Sequence, residues 1–182
     1  MKENIFYGNL VRLREYHKDD LSIAWQYVND WEIKKYIAPD IPLPRKFEEE
    51  EKWYEELSSK NAEHYSFAIE RISDGQYIGG CGINALDWKN SVATVGIFLG
   101  RSFLSQGYGT DAMKVLVNFI FSEMNIHKVI LHVFAFNVRA IKSYEKAGFK
   151  IEGTLRSQIF RDGKYHDEII MGILKEEWRM NS

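Results

Sequence analysis

The seven residues Leu104-Ser105-Gln106-Gly107-Tyr108-Gly109-Thr110 decide how this chain is read. They place two glycines two apart between an apolar strand-like run, Val92 to Leu99, and a helix-like one, Ala112 to Met124. Glycines in that setting let consecutive backbone N–H groups turn toward an anion, and a helix N-terminus adds unsatisfied donors and the positive end of its dipole. On spacing alone a plain tight turn explains the same glycines. The next segment, Lys128 to Phe149, repeats the layout: the apolar strand Val-Ile-Leu-His-Val-Phe leads into Asn-Val-Arg-Ala-Ile-Lys-Ser-Tyr-Glu-Lys-Ala-Gly-Phe. Two strand-to-helix units then lie side by side, with the anion site at the start of the first helix.

In these stretches the chain resembles the GNAT superfamily of acetyl-CoA-dependent N-acetyltransferases. The superfamily's pyrophosphate loop follows Arg/Gln-x-x-Gly-x-Gly/Ala, and its next unit often reads Asn-x-x-Ala-x-x-x-Tyr-x-x-x-Gly-Phe. The second pattern is complete in Asn137, Ala140, Tyr144, Gly148 and Phe149. The first is met at Gly107 and Gly109, with Leu104 where the family usually has Arg or Gln. That departure removes a side chain only, because the cradle consists of backbone N–H groups. The later stretch from Glu152 to Glu168 is similar to the branch that holds Rim-type acetyltransferases of ribosomal-protein N-termini and spermidine acetyltransferases.

Composition bounds the alternatives. A chain of 182 residues, 45% of them hydrophobic, can bury a core of its own, and one domain over residues 1–182 is expected. A formal net charge of -2 gives no global attraction to nucleic acid or an anionic membrane. The opening Met1-Lys2-Glu3-Asn4 reads as no signal peptide, and no apolar run approaches the roughly 20 residues that cross a bilayer. Cys81 is the only cysteine, which points to a reducing cytoplasm. With no activating neighbour in Gly79-Gly80-Cys81-Gly82, it reads as a small buried strand residue.

The pattern along the chain is mixed. Leu10 to Leu13 alternates apolar and basic residues as a half-buried first strand does. Asp19-Asp20 predicts the cap of a helix through Val28, with Leu21, Ala24, Trp25 and Val28 on one face. Pro39, Pro42 and Pro44 break regular structure, and a second helix is predicted from Phe47 to Leu57, its Glu48 to Glu51 run read as a solvated face. Strands follow at Tyr65 to Ile72, Tyr77 to Leu86 and Val92 to Leu99, with turns at Asp74-Gly75 and near Lys89-Asn90. Beyond Phe149, strands from Gly153 to Phe160 and from Tyr165 to Leu174 are joined at Asp162-Gly163. The class is α+β. The resemblance implies a mixed, mostly antiparallel GNAT-like sheet of about seven strands flanked by helices, opened between the fourth and fifth strands so that CoA can wedge in.

That opening assigns roles. Splayed strands leave backbone groups without partners, and an amide-bearing pantetheine arm can supply them by strand-like pairing, with Phe98 and Leu99 as the candidate contacts. The pyrophosphate is expected over the N–H groups of Gln106, Gly107, Tyr108, Gly109 and Thr110. Asp111 would repel it unless its carboxylate points outward. The resemblance gives Asn137 and Ala140 to the cofactor-binding set and implies that Tyr144 sets its hydroxyl near the thioester sulfur. A CoA thiolate leaves in the reaction, and a phenol can protonate it. Read from periodicity, Asn137 is a helix N-cap and Tyr144 a core residue.

A protonated amine is no nucleophile, so a proton must leave. Many relatives carry a Glu where this chain has Thr94, and a hydroxyl cannot replace it. Glu63, His64, Asp87 and His132 are substitutes, with His132 also readable as a packed sheet histidine, or the amine arrives partly deprotonated. No nucleotide-hydrolysis loop, serine elbow or zinc spacing is present, and no metal is expected. Trp25, Trp31, Tyr36, Trp53, Arg156 and Tyr165 are available to wall the acceptor side. The acceptor expected from the resemblance is a ribosomal-protein or peptide N-terminus, the alternatives a polyamine or an amino sugar, with a homodimer as a possible further partner. From another class, a non-catalytic acyl-CoA-binding module fits the missing Glu.

Overall fold

A computed structural model of the chain describes residues 4–57 and 65–180. In chain order it has β1 (Val11–Arg14), α1 (Asp20–Asn29), α2 (Trp31–Ile37), α3 (Phe47–Leu57), β2 (Tyr65–Arg71), β3 (Tyr77–Asp87), β4 (Val92–Leu99) and a 3₁₀ turn at Arg101–Phe103. There follow α4 (Tyr108–Glu123), β5 (Lys128–Phe134), α5 (Val138–Lys146), β6 (Lys150–Arg161), β7 (Lys164–Leu174) and α6 (Lys175–Met180). The strands form one sheet in the order β1-β2-β3-β4-β5-β7-β6. Every neighbouring pair is antiparallel except β4 and β5, which run parallel because α4 carries the chain across between them.

The α+β class and the opened sheet of the sequence reading are those of the structure. β4 and β5 pair only at Val92, Ala93 and Thr94, opposite Lys128, Val129 and Ile130. Beyond Thr94 the two strands part, leaving Val95 to Leu99 and Leu131 to Phe134 with facing edges that do not pair.

One sheet face buries the main core. Val95, Leu99, Leu131 and Val133 meet Ala112, Met113, Leu116 and Ile120 of α4 and Tyr144 of α5 there. Inside–outside alternation along each strand puts the opposite residues, Thr94, Gly96, Phe98 and His132, on the face covered by α1 to α3. A smaller cluster of Tyr16, Ala24, Ala68 and Tyr77 with Trp53 and Tyr54 fixes that helical layer to the sheet. Beneath it Arg14 bridges Asp20 at 2.7 Å and Glu70 at 2.5 Å, so a nearly buried guanidinium satisfies two buried carboxylates.

Three local expectations change. Asp19 stands at the start of α1 without a side-chain cap bond, because the adjacent Asp20 accepts from the His17 N–H at 2.8 Å and from Arg14. α2 has no counterpart in the apolar periodicity. It is too short for a periodic signal, and Asp30 starts it by accepting from the Glu32 N–H at 2.9 Å. Glu50 departs from the solvated face expected of the α3 acidic run: it is buried, 3% exposed, with Arg45 at 3.3 Å.

Candidate active site

A cavity of about 1620 Å³ passes between the parted halves of β4 and β5. At one end it is lined by Gly107, Gly109, Thr110, Asn137, Ala140, Ser143 and Tyr144, at the other by Tyr16, Tyr36, Glu50 and Trp53. Phe98 and Leu99 lie on its open strand edge. Of the residues predicted from sequence to bind the cofactor, Gln106 and Tyr108 alone fall outside the lining. The Gln106 amide donates to the Ser102 carbonyl at 2.6 Å, and the Tyr108 ring packs edge-on against Phe103.

The loop has the geometry of an anion cradle. Gly107 sits at the helix start with φ 90°, a left-handed conformation that side chains with a Cβ rarely adopt. The first intrahelical bond of α4 runs from the Asp111 N–H to the Gly107 carbonyl at 3.0 Å. The N–H groups of Tyr108, Gly109 and Thr110 are therefore the unpaired donors of the first turn, at the positive end of a sixteen-residue helix. The Thr110 hydroxyl lies 2.8 Å from the Ser143 hydroxyl, which locks α4 to α5 beside the cradle.

Asp111 also lines the cavity, and its carboxylate does not point to solvent as the sequence suggested. It is buried and accepts from the backbone N–H groups of Asn9 (3.1 Å), Leu10 (2.7 Å) and Val11 (3.0 Å). Three backbone donors stabilise the carboxylate that the sequence reading set against an anion site, and they tie the start of β1 to α4.

Asn137 and Tyr144 line the same cavity. Asn137 caps α5 by accepting from the Ala140 N–H at 3.3 Å, and both residues are 9% exposed on the cavity wall. Burial pushes the Tyr144 phenol up to about 12, so it stays protonated and able to donate across the neutral range. Lys142, Lys146 and Lys114 also line the cavity and set a positive rim around the cradle end, whereas Arg139 lies over the Tyr36 ring at 5.6 Å. Sequence reasoning missed Ser143 and these cations. Their signal was present, since they lie within the two helices that follow the parted strands.

The base candidates separate. Glu63 and His64 lie outside the described residues. Asp87 is excluded from the cavity: exposed at the β3–β4 turn, it accepts from the Asn90 N–H and side-chain amide. Thr94 and His132 line the cavity, and Asn84 approaches the same face beside Gly96. His132 pairs with Glu168 at 3.3 Å, a residue that sequence reasoning did not single out.

The acceptor wall is also corrected. Tyr36 and Trp53 line the cavity, whereas Trp25 donates its indole N–H to the Arg45 carbonyl, and Trp31, Arg156 and Tyr165 lie outside the lining. From the β6–β7 hairpin it is Arg161, buried, that reaches the proline segment, donating to the Ala38 carbonyl at 2.5 Å. Cys81 is buried as expected, and burial pushes its thiol up, away from nucleophilic use. Among the described residues no cluster of His, Cys, Asp and Glu could hold a metal, and no helix is long and apolar enough to cross a membrane.

Comparison with known proteins gives the family of the domain. The model of the acetyltransferase (GNAT) domain matches residues 10–150. The SPbeta prophage-derived uncharacterized N-acetyltransferase YokL of Bacillus subtilis is 33% identical over 176 residues, 96% of this chain and 95% of its own. The spermidine N(1)-acetyltransferase of Escherichia coli is 27% identical over 172 residues, 92% of this chain and 88% of its own. A crystal structure of the spermidine N-acetyltransferase of Vibrio cholerae, in complex with CoA and spermine, superposes with a TM-score of 0.83 at 26% identity, covering 93% of this chain and 98% of that one.

Proposed function

This chain belongs to the GNAT acetyltransferase family, and from that membership we propose that it moves the acetyl group of acetyl-CoA to a primary amine of a polyamine, with Tyr144 protonating the departing thiolate. It is an acetyl-CoA-dependent N-acetyltransferase, so the non-catalytic module is set aside. The observation that carries the acceptor is the whole-length likeness to spermidine acetyltransferases, one of them solved with CoA and spermine. It favours a polyamine over the peptide N-terminus that the sequence reading put first. Asp40 and Glu49 on the acceptor wall fit a second cationic nitrogen.

On this reading the pyrophosphate rests on the N–H groups of the 106–110 loop, and Lys142 and Lys146 complement the cosubstrate's negative charge. The pantetheine arm pairs with the open edge of β4 at Phe98 and Leu99, and Asn137 and Ala140 border it. The free amine attacks the thioester carbonyl, forming the C–N bond. The C–S bond then breaks, and the sulfur takes the Tyr144 proton while the acylated nitrogen gives one up to restore the phenol. Reaction of an ammonium substrate releases one proton overall.

The test follows free thiol while the protein turns over acetyl-CoA with spermidine, spermine, a peptide with a free N-terminus and glucosamine. Thiol release with a polyamine at a kcat/KM at least about tenfold above the other amines is expected. Release that tracks only the peptide or the sugar overturns the acceptor, and no release with any amine overturns the proposed chemistry.

A further inference from the structure

We propose that His132 is the general base of the reaction, held in its working tautomer by Glu168, in the role that Thr94 cannot fill. The inference rests on acetyl transfer to an amine, and not on which amine is taken. His132 lies on β5 two residues beyond Ile130, the last residue paired to β4, so its side chain enters the cavity where the sheet opens. Its ring is 41% exposed, whereas the Glu168 carboxylate beside it is 10% exposed and lines the same cavity.

Strand pairing makes this arrangement firm. Ile170 is the β7 partner of His132 and Glu168 the partner of Phe134, so imidazole and carboxylate share one sheet face as diagonal neighbours. The contact is between Nδ1 and Oε2, at 3.3 Å. A carboxylate at that distance from Nδ1 favours the neutral imidazole that carries its hydrogen on that nitrogen and leaves the Nε2 lone pair free, the way second groups orient catalytic histidines. Glu168 acts through His132 and is a positioning residue.

The surroundings leave the pair to this work. From β4 the facing side chain is Thr94, which does not titrate in the working range. Lys128, four residues earlier on the same face of β5, is paired to Glu152 of β6 at 2.7 Å. His166 of β7 packs edge-on against Phe136 and lies within 3.2 Å of the Arg161 carbonyl. Glu50, across the cavity on α3, is paired to Arg45, and Tyr144 holds its own proton. In the step assigned, Nε2 takes one proton from the substrate ammonium and the freed amine attacks the thioester. The imidazolium gives that proton to solvent after product leaves.

Kinetics and NMR test this. His132→Asn is expected to lower kcat about 100-fold, to leave the acetyl-CoA Kd within about twofold, and to remove one ionisation from the acid limb of the kcat/KM profile. Glu168→Gln is expected to lower kcat about tenfold with the same Kd. In long-range ¹H–¹⁵N spectra of the ¹⁵N-labelled protein, neutral His132 should carry its hydrogen on Nδ1, and Glu168→Gln should shift the ring toward the Nε2–H form. A His132→Asn enzyme with wild-type kcat and an unchanged acid limb overturns the assignment. So does a wild-type ring protonated on Nε2, a measurement that needs no acceptor and separates failure here from a wrong choice of polyamine.

Discussion

Tyr144 shows how far a single residue can be read from its neighbours. Its place seven residues after Asn137, with Gly148 and Phe149 beyond, marks both its helix and its part in the motif, and the structure sets it with Asn137 on the cavity wall. Tyr144→Phe keeps the ring that packs against Phe149 at 6.1 Å and removes only the hydroxyl. Turnover should fall by about 10- to 100-fold with little change in acetyl-CoA affinity, measured by steady-state kinetics beside calorimetric titration. Asp111 and Glu168 show the limit. The partners of Asp111 are about a hundred residues away and those of Glu168 on another strand, so no local pattern says that one carboxylate holds three backbone donors and the other an imidazole.

Among the elements, the loop that starts α4 carries the most chemistry in the fewest residues. Gly107 is required by its φ of 90°, and a Cβ there would come within 3.3 Å of the Leu10 side chain. Gly107→Val should raise the acetyl-CoA Kd at least about 100-fold, because a β-branched residue costs about 1–2 kcal/mol in this conformation and rotates the cradle N–H groups away. Titration of the variant, with circular dichroism to show that it stays folded, checks this. The limits of β4 and the start of α3 were read from sequence as the structure has them, since proline, charge and apolar runs bound them sharply. α2 escaped, and so did the burial of Glu50. A short helix gives no period, and an acidic run does not say which of its members turns inward.

For the whole molecule, the buried ionisable groups predict how stability responds to alkali. Burial raises the folded pKa of Cys81, Tyr16, Tyr77 and Tyr144, each neutral when protonated. The unfolded chain ionises first, from about pH 8.5 for the thiol and about 10 for the phenols. The stabilisation is therefore complete below that range and is lost as pH rises through it. Thermal melts should hold steady from pH 7 to 8 and shift downward between about pH 9 and 11. By itself the sequence determined the α+β class, the two strand-to-helix units, the glycine turn that starts α4 and the Asn137 cap of α5, because each is written in turn chemistry, periodicity or spacing within one element. Only the tertiary structure decided where β4 and β5 stop pairing, which side chains wall the opening, and that His132 meets Glu168. Those depend on register between strands far apart in the chain, and register is set by the packing of all of them together.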